Sequence, residues 1–169
     1  MHSVDLMHTI AQIAVALAGF SAIIVALNQK PIREWELMDQ VNIRLLIQLS
    51  IVVIFFSLVP SLLAISIPIS DAWLYSLWGY GLVHIADAGF FLVLKSKRAP
   101  TVFRVVASCG VIVGLLQIAI ALLGSDTARE TMYVFTLIWH LGVIFMAFIL
   151  LLYQVRDHES EPDNDEEPK

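Results

Sequence analysis

Five long apolar segments decide what this chain can fold into. Each is long enough to cross the hydrocarbon core of a bilayer as an α-helix, which takes about 20 predominantly apolar residues. The connections between them are short and polar, so we expect no large soluble domain. The sequence therefore predicts an all-α integral membrane protein, a five-helix bundle with spans at about residues 4–27, 41–67, 73–94, 102–123 and 132–153.

The composition supports the same class of protein. Apolar residues make up 59% of the 169 residues and charged residues 15%, whereas soluble domains are about 45–50% apolar and about 25% charged. The single cysteine, Cys109, lies inside the fourth apolar segment, so no intramolecular disulfide can form. Motifs of serine hydrolases, zinc proteases and phosphate-binding loops are absent from the sequence, which therefore gives no support for enzymatic chemistry.

The first span is expected to remain in the protein. The triplet "ALA" at 16–18 resembles a signal-peptidase site, but the preceding "MHSVDLMH" contains no Lys or Arg. A secretory signal peptide begins with a basic region. The span itself, "IAQIAVALAGFSAIIVAL", resembles those of small bacterial membrane proteins, which implies a multi-pass protein of the bacterial inner membrane.

The distribution of Lys and Arg predicts the orientation. With the amino terminus outside, the outer side receives only Arg129, and the cytoplasmic side receives the other nine basic residues. Basic residues are retained in cytoplasmic loops, so we expect the amino terminus outside and the carboxyl terminus in the cytoplasm. The nine residues are Lys30, Arg33, Arg44, Lys95, Lys97, Arg98, Arg104, Arg156 and Lys169.

Two segments outside the spans have a pattern of their own. In residues 31–39, Ile32, Trp35 and Met38 recur at three-residue spacing with charges between them. This pattern is typical of a short helix on the membrane surface, and an extension of the second span is the alternative. Residues 156–169 are rich in acidic and polar residues, and this composition predicts a disordered cytoplasmic tail.

A basic cytoplasmic loop follows the third span. The patch is too small for nucleic-acid binding, and we expect it to contact the anionic head groups of membrane lipids. Its basic residues are Lys95, Lys97, Arg98 and Arg104.

Small residues form a seam along two of the spans. Residues three and four apart lie on one face of a helix, and small side chains let two helices approach closely in a membrane. The pattern leaves open whether the seams pack within one chain or join it to a second copy or another membrane subunit. The fourth span carries Ala107, Gly110, Gly114, Gln117 and Ala121, and the first carries Ala14, Ala18 and Ala22.

Polar side chains lie at similar depths on four of the spans. With a rise of about 1.5 Å per residue, the depths from the outer end are about 12 Å for Gln12, about 10 Å for Gln117, about 13 Å for His140, about 17 Å for His84 and about 21 Å for Asp87. We expect these side chains to converge in the interior of the bundle. Beyond Asp87 the polar residues that could continue the layer are Ser50, Ser108 and Gln48.

His84 and Asp87 are one helical turn apart, close enough to share a proton or to form an ion pair. The polar layer has four open interpretations. It can fix the helix register by hydrogen bonds, or it can form a proton or ion pathway. His84 and His140 can be axial haem ligands. A divalent metal is the fourth interpretation, with the candidate ligands His84, His140, Asp87 and His8.

Three functions follow from these interpretations. The first is an oligomeric channel-like or permeability-altering protein whose interior is lined by the polar layer. The second is a non-transporting membrane subunit or scaffold that binds a partner through the small-residue seams. The third is a small haem-binding redox protein; otherwise we expect no cofactor.

Overall fold

The computed structural model describes residues 2–27, 32–35, 37–94 and 101–159. Within these ranges the chain is entirely helical, without strands. The five long helices are each long and apolar enough to cross a membrane, and they coincide with the five predicted spans. They are α1 (His2–Leu27), α2 (Leu37–Leu63), α3 (Ile69–Leu94), α4 (Thr101–Leu123) and α5 (Asp126–Glu159).

The helices form a bundle with α5 at its centre, in contact with all four other helices. The closest pair is α3 and α4, which form an antiparallel hairpin, and α1 packs mainly on α2 and α5. The α3–α4 hairpin therefore lies on one side of the α2–α5 pair and α1 on another. This arrangement brings α2, α3, α4 and α5 together around one region, which contains the polar side chains described below.

The main apolar core lies between α1, α2, α3 and α5. On α1 the buried residues follow the three-to-four spacing of one helix face. The largest completely buried apolar side chains are found on every helix of this core. They include Met7, Leu46, Val53, Leu77, Leu137 and Ile144.

Helix α2 ends at Leu63, four residues before the predicted end of the second span at residue 67. Backbone N–H groups at the turn still bond to carbonyls of the last helical turn, such as Ile67 to Leu63 at 3.0 Å. Pro68 follows directly, and the residue before a proline is disfavoured in helical conformation. The carbonyl of Pro68 instead accepts the N–H groups that open α3.

Helix α5 begins at Asp126, six residues before the predicted start of the fifth span at residue 132. The Ser125 hydroxyl accepts the N–H of Ala128 at 3.4 Å, as a residue that caps a helix amino terminus does. Arg129 donates to the carbonyl of Ala121 at 3.0 Å and pairs with Asp126 at 2.9 Å. The guanidinium thus satisfies a carbonyl at the end of α4, which gives this arginine a structural role at the predicted outer side.

The segment over residues 31–39 divides between two elements: α2 already begins at Leu37, which fits the alternative of an extended second span, and the part before it is not a continuous helix. It contains a single 3₁₀ turn, Ile32–Glu34, and residues 31 and 36 lie outside the described residues. The Trp35 side chain is only 9% exposed and forms a small apolar cluster with Ile43 and Leu151. The indole therefore packs against the bundle, because burial removes more apolar surface from water than an interfacial position does.

The predicted disordered tail over residues 156–169 is helical at its start, because α5 continues through Glu159. The remainder of that tail, residues 160–169, lies outside the described residues.

A proline inside α2 is compensated from another helix. Pro60 has no N–H, so the carbonyl of Phe56, four residues earlier, loses its helical donor. The Tyr133 hydroxyl of α5 donates to this carbonyl at 2.5 Å, and Tyr133 is completely buried. In a hydrocarbon environment an unsatisfied carbonyl is costly, so this contact stabilises both the proline-containing helix and its packing on α5.

Candidate intramembrane polar site

Two histidines from different helices meet in the middle of the bundle. The ring centroids of His84 on α3 and His140 on α5 are 4.2 Å apart, with 51° between the ring planes. Their side chains are 4% and 3% exposed, respectively. Two of the sequence-predicted residues are therefore in direct contact, shielded from the exterior of the bundle.

A third helix joins this pair through Gln117 of α4. Its side-chain oxygen lies 2.9 Å from Nδ1 of His84, and because an amide oxygen only accepts, Nδ1 donates. The nitrogen of the same amide is buried and has no hydrogen-bond partner among the described residues. A half-turn of the amide would present this nitrogen to an unprotonated Nδ1, so Gln117 can match either form of the imidazole.

His140 has an equivalent arrangement. The Tyr80 hydroxyl lies 2.9 Å from Nδ1 of His140, and the carbonyl oxygen of Thr136 lies 3.2 Å from the same nitrogen. The hydroxyl donates when Nδ1 is unprotonated, and the carbonyl accepts when Nδ1 carries a proton. Nδ1 of His140 therefore has a hydrogen-bond partner in both states.

Tyr80 is a site residue that was not predicted from the sequence, although its position relative to His84 was a signal. Tyr80 lies four residues before His84, on the same face of α3. Its ring is completely buried, stacks on Phe56 at 4.2 Å between centroids, and lies 5.3 Å from the His140 ring. A buried tyrosine needs a partner for its hydroxyl, and the structure shows that this partner is His140 on α5.

Asp87 connects α3 to α2. Gln48 donates to a carboxylate oxygen of Asp87 at 2.5 Å, and Asp87 is half-buried. Of the polar residues expected to continue the layer, Gln48 therefore contacts the acid directly. Ser50 is buried in α2, and the exposed Ser108 donates to the Arg104 carbonyl of its own helix at 2.8 Å.

A cavity of about 50 Å³ opens beside the histidine pair, between α2, α3, α4 and α5. His84, His140 and Asp87 line it together with mainly apolar residues. One water needs about 10–15 Å³ of cavity volume and two to four polar partners. The cavity therefore has room for a few waters next to the imidazoles and the carboxylate.

Glycines allow α3 and α4 to approach closely at this site. A Cβ atom on Gly114 would lie 2.6 Å from Cγ1 of Ile85, and one on Gly81 would lie 3.2 Å from the Gly114 carbonyl oxygen. A Cβ atom on Gly110 would lie 3.2 Å from Nε2 of His84. The seam on the fourth span thus packs within the chain, with Gly110, Gly114, Gln117 and Ala121 buried and Ala107 at the cavity.

The first span contributes less than expected. Gln12 and His8 are exposed, so the structure does not bring them to the histidine pair. Ala14 is buried in the core, whereas Ala18 is half-buried and Ala22 is exposed. The inward face of α1 carries Met7, Ile10, Ala14, Leu17 and Ser21, whereas large apolar side chains such as Phe20 and Ile23 are exposed. Gln12 lies opposite the inward face.

The geometry does not fit the two cofactor interpretations. The described residues contain no group of three or more His, Cys, Asp or Glu side chains placed to hold a metal ion. Haem between His84 and His140 would need space for an iron and a macrocycle, whereas the two rings are in contact. Of the predicted head-group contacts, Arg104 is exposed and bonds to Thr101 at 3.0 Å; Lys95, Lys97 and Arg98 lie outside the described residues.

Comparison with known proteins identifies no relative. No family model matches the chain, and neither a curated protein nor a solved structure matches it.

Proposed function

We propose that this chain is a multi-pass membrane protein that alters the proton permeability of a bacterial inner membrane through its buried histidine pair. The observation that carries the proposal is the contact between His84 and His140, each with an Nδ1 partner suited to both the protonated and the unprotonated imidazole. Intramembrane ionisable residues often mark proton relays. An imidazole is suited to this because it can accept a proton at one nitrogen and release one from the other.

The packing favours protons over hydrated ions. A cavity of about 50 Å³ is too small for a hydrated ion with its water shell, but it accommodates a few waters. A proton needs only a chain of hydrogen-bonded groups. The proposed transported species is therefore the proton. This proposal is more specific than the channel-like protein expected from the sequence.

The cavity forms the cytoplasmic half of the proposed proton pathway. It is lined by residues near the start of α2 and α4 and near the end of α3. With the amino terminus outside, these ends face the cytoplasm, so Asp87 and Gln48 would meet the proton before the histidines do. The outer side would begin at Tyr80 and Thr136, which contact His140 from the opposite direction along the bundle.

Proton flux into proteoliposomes tests the proposal. We expect wild-type protein to accelerate dissipation of a pH gradient, and His84→Gln and His140→Gln to reduce the flux by about tenfold or more, because a positioned acid–base group contributes at least that much. Asp87→Asn should also reduce it. Ser108→Ala is the matched control, since this hydroxyl is exposed and bonds only within its own helix.

Two results would overturn the proposal. One is a wild-type flux equal to that of protein-free liposomes. The other is full flux in both histidine variants, each shown by circular dichroism and gel filtration to be folded. In either case the hydrogen bonds among α3, α4 and α5 would serve to hold the helices in register.

A second candidate function is a non-transporting membrane subunit. The observation that favours it is the exposure of one polar and small-residue face of α1, which no other helix of the described chain covers. Absence of flux together with specific co-purification of a second membrane protein would favour this function over proton transfer.

A further inference from the structure

Helix α1 is the least covered span. In its most apolar stretch 22% of the residues are buried, compared with 33–39% in the corresponding stretches of the other four spans. It packs mainly on α2 and α5, through a face that includes Met7, Ile10 and Ala14. The opposite face is exposed along the whole helix.

This exposed face is polar at the depth of the membrane interior. Gln12 lies about 15 Å from the start of α1, at 1.5 Å per residue, and it makes no hydrogen bond to any described residue. A carboxamide without a partner is strongly disfavoured in hydrocarbon. Gln12 therefore indicates that this face is covered by something that offers it both a donor and an acceptor.

The residues around Gln12 form one stripe, which we call the α1 outer stripe. Its members are all exposed and follow helical three-to-four spacing from Asp5 to Gly19; the exposed Ile23 stands between Gly19 and Ala26 on the same face. Small residues lie on one side of Gln12, and an acid and a histidine lie on the other. The stripe consists of Asp5, His8, Gln12, Ala16, Gly19 and Ala26.

We propose that the α1 outer stripe binds the same stripe of a second copy of this chain, as a parallel two-fold pair. A glutamine amide has both donor and acceptor groups, so two Gln12 side chains facing each other across a two-fold axis satisfy one another. The other polar members are complementary too, since Asp5 of one copy would lie beside His8 of the other. A different protein would need its own polar partners for the Gln12 amide, for Asp5 and for His8, whereas a second copy of this chain already carries them.

The small residues make close approach of the two helices possible. A Cβ atom on Gly19 would meet no atom of the described residues within 4 Å, so their packing does not require a glycine at this position. Small residues at such positions let the backbones of membrane helices come into contact. The pairing does not depend on proton transfer, because Asp5, His8 and Gln12 are separate from the histidine pair, and each copy would keep its own polar site.

Cysteine cross-linking in proteoliposomes tests the interface. In a Cys109→Ala background, Ala16→Cys and Gly19→Cys should form disulfide-linked dimers on mild oxidation. Leu116→Cys is the matched control: it is an exposed, 51% accessible position on α4, whereas α1 packs mainly on α2 and α5. It should remain monomeric under the same conditions.

Dimer affinity in lipid bilayers, measured by fluorescence energy transfer on lipid dilution, is the second readout. Gln12→Leu should weaken association by about tenfold, since an interhelical hydrogen bond in a membrane is worth about that much. This variant retains its fold because Gln12 makes no hydrogen bond to any residue that the structure describes. A monomeric wild type, equal cross-linking at Gly19→Cys and Leu116→Cys, or unchanged affinity in Gln12→Leu would each overturn the proposal, and proton flux enters none of these readouts.

Discussion

Replacing Tyr133 with Phe removes a single oxygen atom and tests how the bundle accommodates a proline in α2. The Tyr133 hydroxyl donates at 2.5 Å to the carbonyl of Phe56, which has no helical donor because residue 60 is a proline. The ring itself remains in place, in edge contact with Trp73 at 5.7 Å between centroids. The substitution therefore changes one hydrogen bond and little else.

The expected cost follows from burial. Tyr133 is 0% exposed, so no solvent reaches the carbonyl when the hydroxyl is removed. A buried acceptor left without its partner costs about 1–3 kcal/mol. We expect Tyr133→Phe to lower the free energy of unfolding by that amount, measured by denaturant titration in mixed micelles. Tyr75→Phe is the matched control, because Tyr75 is 57% exposed, and it should change stability by less than about 0.5 kcal/mol.

A double-mutant cycle isolates the proposed cause. Pro60→Ala restores an N–H at residue 60, which can donate to the carbonyl of Phe56 within α2. In that background the hydroxyl is no longer needed, and Tyr133→Phe should cost less than in wild type by about 1–2 kcal/mol. An equal cost in both backgrounds would refute the argument, since the hydroxyl would then not compensate for the proline.

Three further predictions concern the site. Gly114→Ala should lower stability by about 1–3 kcal/mol, because its Cβ atom would lie 2.6 Å from a side chain of α3. Gly142→Ala is the control and should be neutral or stabilising, because its Cβ atom would meet no atom of the described residues within 4 Å. Equal effects of the two substitutions in an unfolding titration would contradict the close contact at Gly114. Tyr80→Phe should reduce proton flux and Tyr75→Phe should not, since only the first hydroxyl contacts an imidazole; equal flux in the two variants would remove Tyr80 from the pathway. Gln117→Leu should change the ¹⁵N shift of the bonded imidazole nitrogen of His84 in solid-state spectra, and an unchanged shift would show that the hydrogen bond is not formed in the bilayer.

Hydropathy was sufficient to predict the five long helices, because length and apolar composition are properties of each segment alone. The helix ends were less predictable. The start of α5 depends on the capping hydroxyl of Ser125 and on Arg129 reaching the end of α4. These are contacts between neighbouring segments, and they moved the helix start well before the apolar run.

The depth of each residue along its helix was a useful guide to the polar site. The rotation of each helix about its own axis could not be predicted. His84, His140 and Gln117 were selected by depth and lie together in the structure. Gln12 was selected on the same basis, yet it lies on the exposed face of α1. The sequence pattern fixes which residues share a face. Which face turns inward depends on how a helix packs on its neighbours, because helices in a membrane associate through close packing and hydrogen bonds and not through apolar burial.

Contacts between helices distant in sequence could not be predicted. The match between the Tyr133 hydroxyl and the Phe56 carbonyl depends on α2 and α5 being neighbours at the right height. The same is true of the bond from Gln48 to Asp87. In both cases the residue types were informative, since a mid-helix proline and an acid within an apolar helix each require a partner, but the identity of the partner is a property of the assembled bundle.

The most direct measurement of the central claim is passive proton flux through the double variant His84→Gln/His140→Gln in liposomes, compared with wild type at equal protein density. We expect wild-type vesicles to dissipate an imposed pH gradient well above the protein-free rate, and the folded double variant to return to that rate. Wild-type vesicles as tight as protein-free ones, or a double variant as leaky as wild type, would contradict a role for the two imidazoles in moving protons.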